Sequence, residues 1–187
     1  MSEAVSPKHK QQLQAKDLAG ISLAAAIIVV CSWITVPLTV PVTLQTFAIF
    51  TTTGILGLKR GVTAVLVYLL LGAAGLPVFA GFKGGLGELL GVTGGYLLGF
   101  IFMAWILGWL VQRYGKKTPI LAMGMVLGLA ICYLFGTAWF ITVYARTTGP
   151  LAWFTALSWC VLPFLLPDLI KITLSILIVK RVSKIIS

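Results

Sequence analysis

The sequence ALSWCVLPFLLPDLIKITLSILIV, residues 156–179, is an apolar run of 24 residues that contains two charged side chains, Asp168 and Lys171. At about 1.5 Å per residue, a helix of this length spans about 36 Å, which exceeds the roughly 30 Å hydrocarbon core of a bilayer. The run lacks the alternation of polar and apolar residues, over about ten residues, that marks a membrane β-strand. It therefore predicts a transmembrane helix and an all-α membrane fold.

Five earlier apolar runs extend this prediction to a bundle of six transmembrane helices, in a single domain of residues 1–187. The predicted spans lie near residues 18–36, 41–58, 62–80, 94–111, 119–143 and 156–179, after a polar tail of residues 1–17. The composition agrees, because 59% of the residues are apolar, 10% are charged and the mean hydropathy is +1.07. A water-soluble domain needs more charge than this to cover its surface.

The basic residues indicate how the six spans are oriented. Eleven of the 14 Lys and Arg side chains fall on one side of the bundle: Lys8, Lys10, Lys16, Lys59, Arg60, Arg113, Lys116, Lys117, Lys180, Arg181 and Lys184. Cytoplasmic loops carry such an excess, so both termini are predicted to be cytoplasmic. The charges lie at the ends of apolar runs and not in one patch, which is not typical of nucleic-acid binding.

Sequence motifs for enzymatic chemistry are missing. The fragment GKKT at 115–118 is the nearest approach to a P-loop, but Leu110 stands at the position of the first glycine and Lys117 at that of the hydroxyl. The single histidine, His9, is in the polar tail, which leaves no Ser-His pair. The cysteines lie singly in apolar sequence, which predicts packing and not a metal or disulfide site: Cys31, Cys132 and Cys160. We therefore predict that the protein is not an enzyme and that it has neither a metal site nor a cofactor.

Five charged side chains are not explained by the topology: Lys83, Glu88, Arg146, Asp168 and Lys171. Asp168 and Lys171 share one helix face, because they are three residues apart. An ionisable group near the centre of a span costs about 2.5–3.5 kcal/mol on insertion, so the pair either neutralises itself or serves a polar ligand. Pro163 and Pro167 favour a ligand site, since proline frees backbone carbonyls that in lipid must be satisfied by protein, water or ligand.

The connections on the predicted outer side are unusual for loops. Residues 37–45, PLTVPVTLQ, are mostly apolar and suit a segment that folds back into the protein. Residues 81–95 contain seven glycines, which allow a backbone to approach a ligand or a lid to move, although they also fit simple chain flexibility. Aromatic side chains gather at this side, either as a belt at the lipid headgroups or as walls of a ligand site: Trp33, Trp139, Trp153, Trp159 and Tyr144.

Together these features resemble the BioY family, the biotin-binding S components of energy-coupling factor (ECF) transporters. Four segments carry the resemblance, which extends over residues 17–180: PVTLQ at 41–45, GLPVF at 75–79, GVTGGY at 91–96 and PDLIK at 167–171. Their order within six spans is specific, whereas no single segment is.

The resemblance implies a six-helix bundle that binds biotin from outside, in the plasma membrane of a prokaryote. It also implies a transmembrane coupling subunit and two ATP-binding cassette subunits as partners, which fits the missing P-loop. Asp168 would accept hydrogen bonds from the ureido N–H groups of biotin, and Lys171 would donate to the ureido carbonyl or neutralise Asp168. On charge alone, Arg146 or Lys83 would face the biotin carboxylate. The other candidates for the site are Thr43, Gln45, Phe79, Gly85, Tyr96 and Tyr144.

Related S components are expected to dock on the coupling subunit through small residues of the first span, often as Ala-x-x-x-Ala. The nearest matches in this sequence are Ala15 with Ala19 and Gly20 with Ala24. Three alternatives stay open at this point: an S component for another small vitamin, a structural membrane protein in which Asp168 and Lys171 only fix helix register, and, more remotely, an enzyme.

Overall fold

The computed structural model describes residues 15–38 and 40–186, and helices dominate this part of the chain. The helices are α1 (Ala15–Trp33), α2 (Gln45–Leu56), α3 (Leu58–Ala73), α4 (Leu86–Leu90), α5 (Gly94–Tyr114), α6 (Thr118–Thr147), α7 (Trp153–Cys160) and α8 (Leu162–Ile186). A short antiparallel hairpin, β1 (Thr35–Val36) and β2 (Val42–Thr43), follows α1, and a 3₁₀ turn (Ala80–Phe82) precedes α4. The all-α prediction is confirmed. Most of the predicted polar tail, with Lys8, His9 and Lys10, lies outside the described residues.

Within the described residues, four helical segments are long and apolar enough to cross a membrane. They are α1, α5, α6 and the combined segment Trp153–Ile185. Their outward faces expose large apolar side chains, such as Leu134 and Leu166, each 70% exposed. Such faces are typical of helices that contact lipid, because a hydrocarbon environment does not penalise them.

The predicted spans at 41–58 and 62–80 correspond to shorter helices. α2 has 12 residues and α3 has 16, and residues 42–43 form β2 instead of helix. Gly57 separates the two helices with φ +79°, a conformation that favours glycine. The end of α2 is capped twice, since Gly57 N–H donates to the Thr53 carbonyl and the Lys116 ammonium donates to the Ile55 carbonyl, both over 2.8 Å. Partial burial lowers the pKa of this lysine.

The predicted span at 156–179 is interrupted, because α7 and α8 meet at Val161. Pro163, the second residue of α8, explains the break. Its ring nitrogen has no hydrogen to continue the ladder of α7, whereas proline is tolerated in the first turn of a new helix. Pro167 lies inside α8, immediately before Asp168, and removes a second backbone donor from the same region.

Glycines let the central helices approach closely. α5 and α6 make the most extensive helix pair, and a Cβ on Gly128 of α6 would lie 3.0 Å from the carbonyl oxygen of Met103 in α5. A Cβ on Gly108 would lie 2.5 Å from the Cα of Leu58 at the start of α3. These contacts fit the small-residue spacing that the sequence shows in both helices. They place α5 in close contact with both α6 and α3.

Candidate functional site

A cavity of about 470 Å³ lies between α2, α5, α6 and α8, beneath the β1–β2 hairpin and the segment that carries α4. Its size is within the range of small-molecule sites, about 300–1,000 Å³. Apolar and aromatic side chains form most of the wall: Val40, Phe79, Leu97, Phe100, Leu129 and Phe164. A few polar groups interrupt this wall, as in sites that orient a ligand.

The deep part of the cavity holds two charged residues of α8, Asp168 and Lys171. Asp168 is 1% exposed and Lys171 is 6% exposed, and Lys171 Nζ lies 2.8 Å from Asp168 Oδ1. The Thr46 hydroxyl donates to Asp168 Oδ1 over 3.1 Å and accepts from Lys171 Nζ over 3.3 Å. The Tyr133 hydroxyl donates to the other carboxylate oxygen, Asp168 Oδ2. The buried charges therefore neutralise each other inside a network built by α2, α6 and α8.

The hydrogen bonds of this network do not use all the bonding positions of Asp168 and Lys171. An ionised carboxylate has about four lone-pair sites, and three of those on Asp168 are used, which leaves one on Oδ2. The ammonium of Lys171 has three hydrogens, of which Asp168 and Thr46 take two. One acceptor position of Asp168 and one hydrogen of Lys171 thus have no partner among the described residues, and both residues line the cavity, which suits a ligand with donor and acceptor groups.

A second polar cluster lies where the hairpin joins α2. The Thr43 hydroxyl donates to Gln45 Oε1 over 2.8 Å, and the Gln45 backbone N–H donates back to Thr43 Oγ1 over 3.2 Å. Gln45 Nε2 donates to the Tyr68 hydroxyl of α3 over 2.5 Å. Thr43 and Gln45 both line the cavity, and these bonds fix the orientation of the Gln45 amide.

Aromatic rings and thiols complete the wall. Phe79 is 2% exposed and packs edge-on against Tyr68, with 5.5 Å between ring centroids. Tyr96 lines the cavity, while its hydroxyl bonds with that of Thr137 over 2.8 Å. Cys132 and Cys160, predicted to serve packing, are buried free thiols in the same wall.

An ion pair lies at the exposed end of the cavity. Lys83 Nζ and Glu88 Oε1 are 3.4 Å apart, with 62% and 32% of their side chains exposed. Both residues line the cavity. The cavity therefore extends from the buried Asp168–Lys171 pair on α8 to the exposed Lys83–Glu88 pair in the segment between α3 and α5.

The structure brings seven of the ten predicted site residues to the cavity: Thr43, Gln45, Phe79, Lys83, Tyr96, Asp168 and Lys171. Their role toward a ligand stays a prediction. Gly85, Tyr144 and Arg146 are not among the residues that line the cavity. Gly85 precedes α4 with φ +98°, Tyr144 stacks on Phe140 at 5.6 Å between ring centroids, and Arg146 is exposed in the last turn of α6.

Sequence reasoning missed Tyr133, Thr46 and Tyr68. Their partners are distant in the chain, since Thr46 bonds with Asp168 from 122 positions away and Tyr133 from 35. One signal was present for Tyr133: a phenol in the middle of an apolar run needs a hydrogen-bond partner.

Two of the clustered tryptophans tie helices to the segment between α3 and α5. Trp33 Nε1 donates to the Pro77 carbonyl, and Trp139 Nε1 donates to the Gly91 carbonyl, both over 2.9 Å. Trp33 also stacks on Phe82, with 5.0 Å between centroids. These contacts anchor the glycine-rich segment at both of its ends.

The candidate docking residues of α1 differ in exposure. Ala15 and Ala19 are exposed, and Gly20 is half-buried. Ala24 is 2% exposed and packs in a cluster with Ala64. Ala15 and Ala19 are thus the candidates that lie on an accessible face.

Long apolar helices around a partly open cavity with a buried, hydrogen-bonded ion pair are typical of multi-pass membrane proteins that bind a small polar molecule. Comparison with known proteins is more specific: the profile of the BioY family matches residues 6–187, and the chain belongs to this family. The resemblance identified from the sequence is thereby confirmed.

Relatives match over most of the chain. A protein of Thermotoga maritima named "Biotin transporter BioY" is 42% identical over 90% of this chain and 96% of its own length. A "Probable biotin transporter BioY" of Pyrococcus horikoshii is 36% identical over 90% and 97%, respectively. The crystal structure of "the S-component for biotin from an ECF-type ABC transporter" matches with a TM-score of 0.81 and 26% identity, over 97% of this chain and 95% of that one.

Proposed function

We propose that this chain binds biotin and serves its uptake as the S component of an ECF-type transporter. The observation that carries the proposal is the Asp168–Lys171 pair in the cavity, which retains one acceptor and one donor for a ligand. The names of the relatives and of the similar crystal structure support biotin as that ligand. The function is transport and not catalysis, so it requires no nucleophile or general base in the cavity.

The ureido ring of biotin fits the free positions of the buried network. This ring presents N–H donors next to a carbonyl acceptor. In our proposal one N–H donates to Asp168 Oδ2, and the carbonyl accepts the third hydrogen of Lys171. The apolar ring and chain of biotin then lie against Phe79, Phe100 and Phe164.

For the membrane arrangement we propose six passes with both termini in the cytoplasm of a prokaryote. The basic residues at the ends of helices support this orientation. α2 and α3 would supply two of the passes, although each is shorter than the roughly 20 residues of an average span. The cavity mouth with Lys83 and Glu88 would then face the outside of the cell.

The proposed partners are a transmembrane coupling subunit and two ATP-binding cassette subunits, which supply ATP hydrolysis. We propose the exposed face of α1 with Ala15 and Ala19 as the docking face, because small side chains allow close helix approach. Gly20 is half-buried beside Leu56 of α2, and Ala24 is buried against Ala64 of α3, so we assign these two candidates to internal packing.

Calorimetric titration of the purified protein with biotin in detergent tests the proposed ligand. We expect saturable one-site binding, weakened at least tenfold in both Asp168→Asn and Lys171→Ala, which is about 1.4 kcal/mol or more. If the folded wild type does not bind biotin, biotin is excluded as the ligand. Titration with a panel of other small vitamins would then test whether the protein is an S component for one of them. Saturable binding of any ligand contradicts a purely structural role.

A further inference from the structure

The cavity is electrically neutral before a ligand enters. Among the described residues that line it, the Lys and Arg side chains are Lys83 and Lys171, and the Asp and Glu side chains are Glu88 and Asp168. Each cation is paired with one acid. A ligand that carries a carboxylate adds a negative charge, so it gains a cation that it does not share with a protein carboxylate only if one of these two pairs opens.

The two ion pairs differ in the free energy that their separation costs. Separating Lys171 from Asp168 would leave a carboxylate that is 1% exposed without its cation, which is strongly destabilising. Separating Lys83 from Glu88 leaves Glu88 at a position where water reaches about a third of its side chain. Exposed pairs contribute little net stability, because water solvates the separated charges. The Lys83–Glu88 pair is therefore the one that opens when a carboxylate ligand binds.

The backbone around the mouth permits this opening. Glu88 lies in the five-residue helix α4, with Gly85 before it and Gly91 after it. Gly85 has φ +98°, and Gly81, on the other side of Lys83, has φ +70°. Both residues have a backbone hydrogen bond, since the Phe79 N–H donates to the Lys83 carbonyl over 2.9 Å and the Glu88 N–H donates to the Gly85 carbonyl over 3.2 Å. The pair can therefore open by rotation of its two side chains, which are 62% and 32% exposed.

We infer that Glu88 is a specificity-determining residue that occupies Lys83 in the empty protein and is displaced by the carboxylate of the ligand. The inference rests on the proposed function, since it takes biotin as the ligand. Glu88 lowers the affinity for every ligand that must use Lys83, because two carboxylates compete for one ammonium. Lys83 in turn gives a carboxylate ligand its advantage over the corresponding neutral amide.

The test measures the dissociation constants of biotin and of biotinamide, its uncharged carboxamide, with four proteins. These are the wild type, Glu88→Gln, Lys83→Gln and the double variant. The measured quantity is the preference, defined as Kd of biotinamide divided by Kd of biotin. It is insensitive to partial unfolding, which lowers the active fraction for both ligands equally.

We expect Glu88→Gln to raise the preference about two- to fivefold, the size of an exposed ion-pair effect, and 1 M NaCl to reduce this gain. Lys83→Gln should lower the preference, and the Glu88→Gln gain should vanish when Lys83 is also replaced. An unchanged or lowered preference in Glu88→Gln, or a gain that persists in the double variant, would overturn the inference. Failure of the wild type to bind biotin would instead contradict the proposed function.

Discussion

Variants of Asp168 and Lys171 distinguish a structural role of this buried ion pair from a role in ligand binding. In Lys171→Met, Asp168 keeps its bonds from Thr46 and Tyr133 but loses the ammonium 2.8 Å away. Removing one partner of a buried ion pair costs about 3–5 kcal/mol, because the other charge stays buried. At about 2–4 °C per kcal/mol for a chain of this size, the apparent Tm should fall by about 6–20 °C.

The double variant Asp168→Asn/Lys171→Met should regain most of this loss. The asparagine carbonyl can still accept from Thr46, and its amide can donate to the Tyr133 oxygen. Since no buried charge remains, the apparent Tm should lie within about 4 °C of the wild type, which corresponds to about 1 kcal/mol. Biotin binding should nevertheless be weakened at least tenfold, because the acceptor and the donor of the cavity are both gone.

Thermal unfolding by tryptophan fluorescence, in one detergent and at one scan rate, gives the apparent Tm, and calorimetry on the same samples gives the dissociation constant. A double variant that binds biotin within about threefold of the wild type, a difference of about 0.7 kcal/mol, would show that the pair serves structure alone. A double variant as unstable as Lys171→Met would show that the loss does not come from an unpaired charge.

Three further predictions concern the packing and the partners. Tyr133→Phe removes a donor to the Asp168 carboxylate, worth about 1.5–3 kcal/mol, so the apparent Tm in the same assay should fall by about 3–12 °C. Gly108→Ala places a Cβ 2.5 Å from Leu58 Cα, and overpacking of about 1–3 kcal/mol should lower the apparent Tm by about 2–12 °C. Ala19→Leu should reduce copurification with the coupling subunit, because it places a bulky side chain on the proposed docking face, and it should leave biotin binding intact.

Gly108→Ala and Ala19→Leu each have a matched control. Gly20→Ala brings its Cβ to an ordinary 3.5 Å from Leu56 Cδ2, so it should not lower the apparent Tm as Gly108→Ala does. Ala24→Leu enlarges a buried position of α1 and should lower the apparent Tm, which Ala19→Leu should not. Equal loss of stability in both members of a pair would refute the packing argument, and full copurification by Ala19→Leu would refute the docking face.

The sequence predicted features that depend on local periodicity. Apolar runs located the helices, since burial in lipid leaves the backbone few alternatives. The spacing of Asp168 and Lys171 predicted their contact, because residues three apart share a helix face, and the 2.8 Å ion pair has this geometry. The glycines of α5 and α6 likewise mark the positions where these helices meet.

Features that depend on contacts between distant segments could not be predicted in this way. Val42 and Thr43 were predicted to belong to the second span, but they pair with residues 35–36 as a hairpin above the cavity. Lys83 and Arg146 carry the same charge and were equivalent candidates. Only the folded structure distinguishes them, since Lys83 lines the cavity whereas Arg146 is exposed in the last turn of α6 and does not line it.

The distribution of charge in the cavity also bears on how biotin would lie in it. Moving an ion into a dry interior costs several kcal/mol, whereas a neutral ring that exchanges hydrogen bonds with a fixed network costs much less. The pair on α8 is dry and already neutral, so it suits the uncharged ureido ring. The pair of Lys83 and Glu88 is solvated, so a carboxylate that stops there keeps contact with water. In our proposal, the pair that would meet the neutral ureido ring is therefore buried, whereas Lys83, which would meet the carboxylate, is solvated.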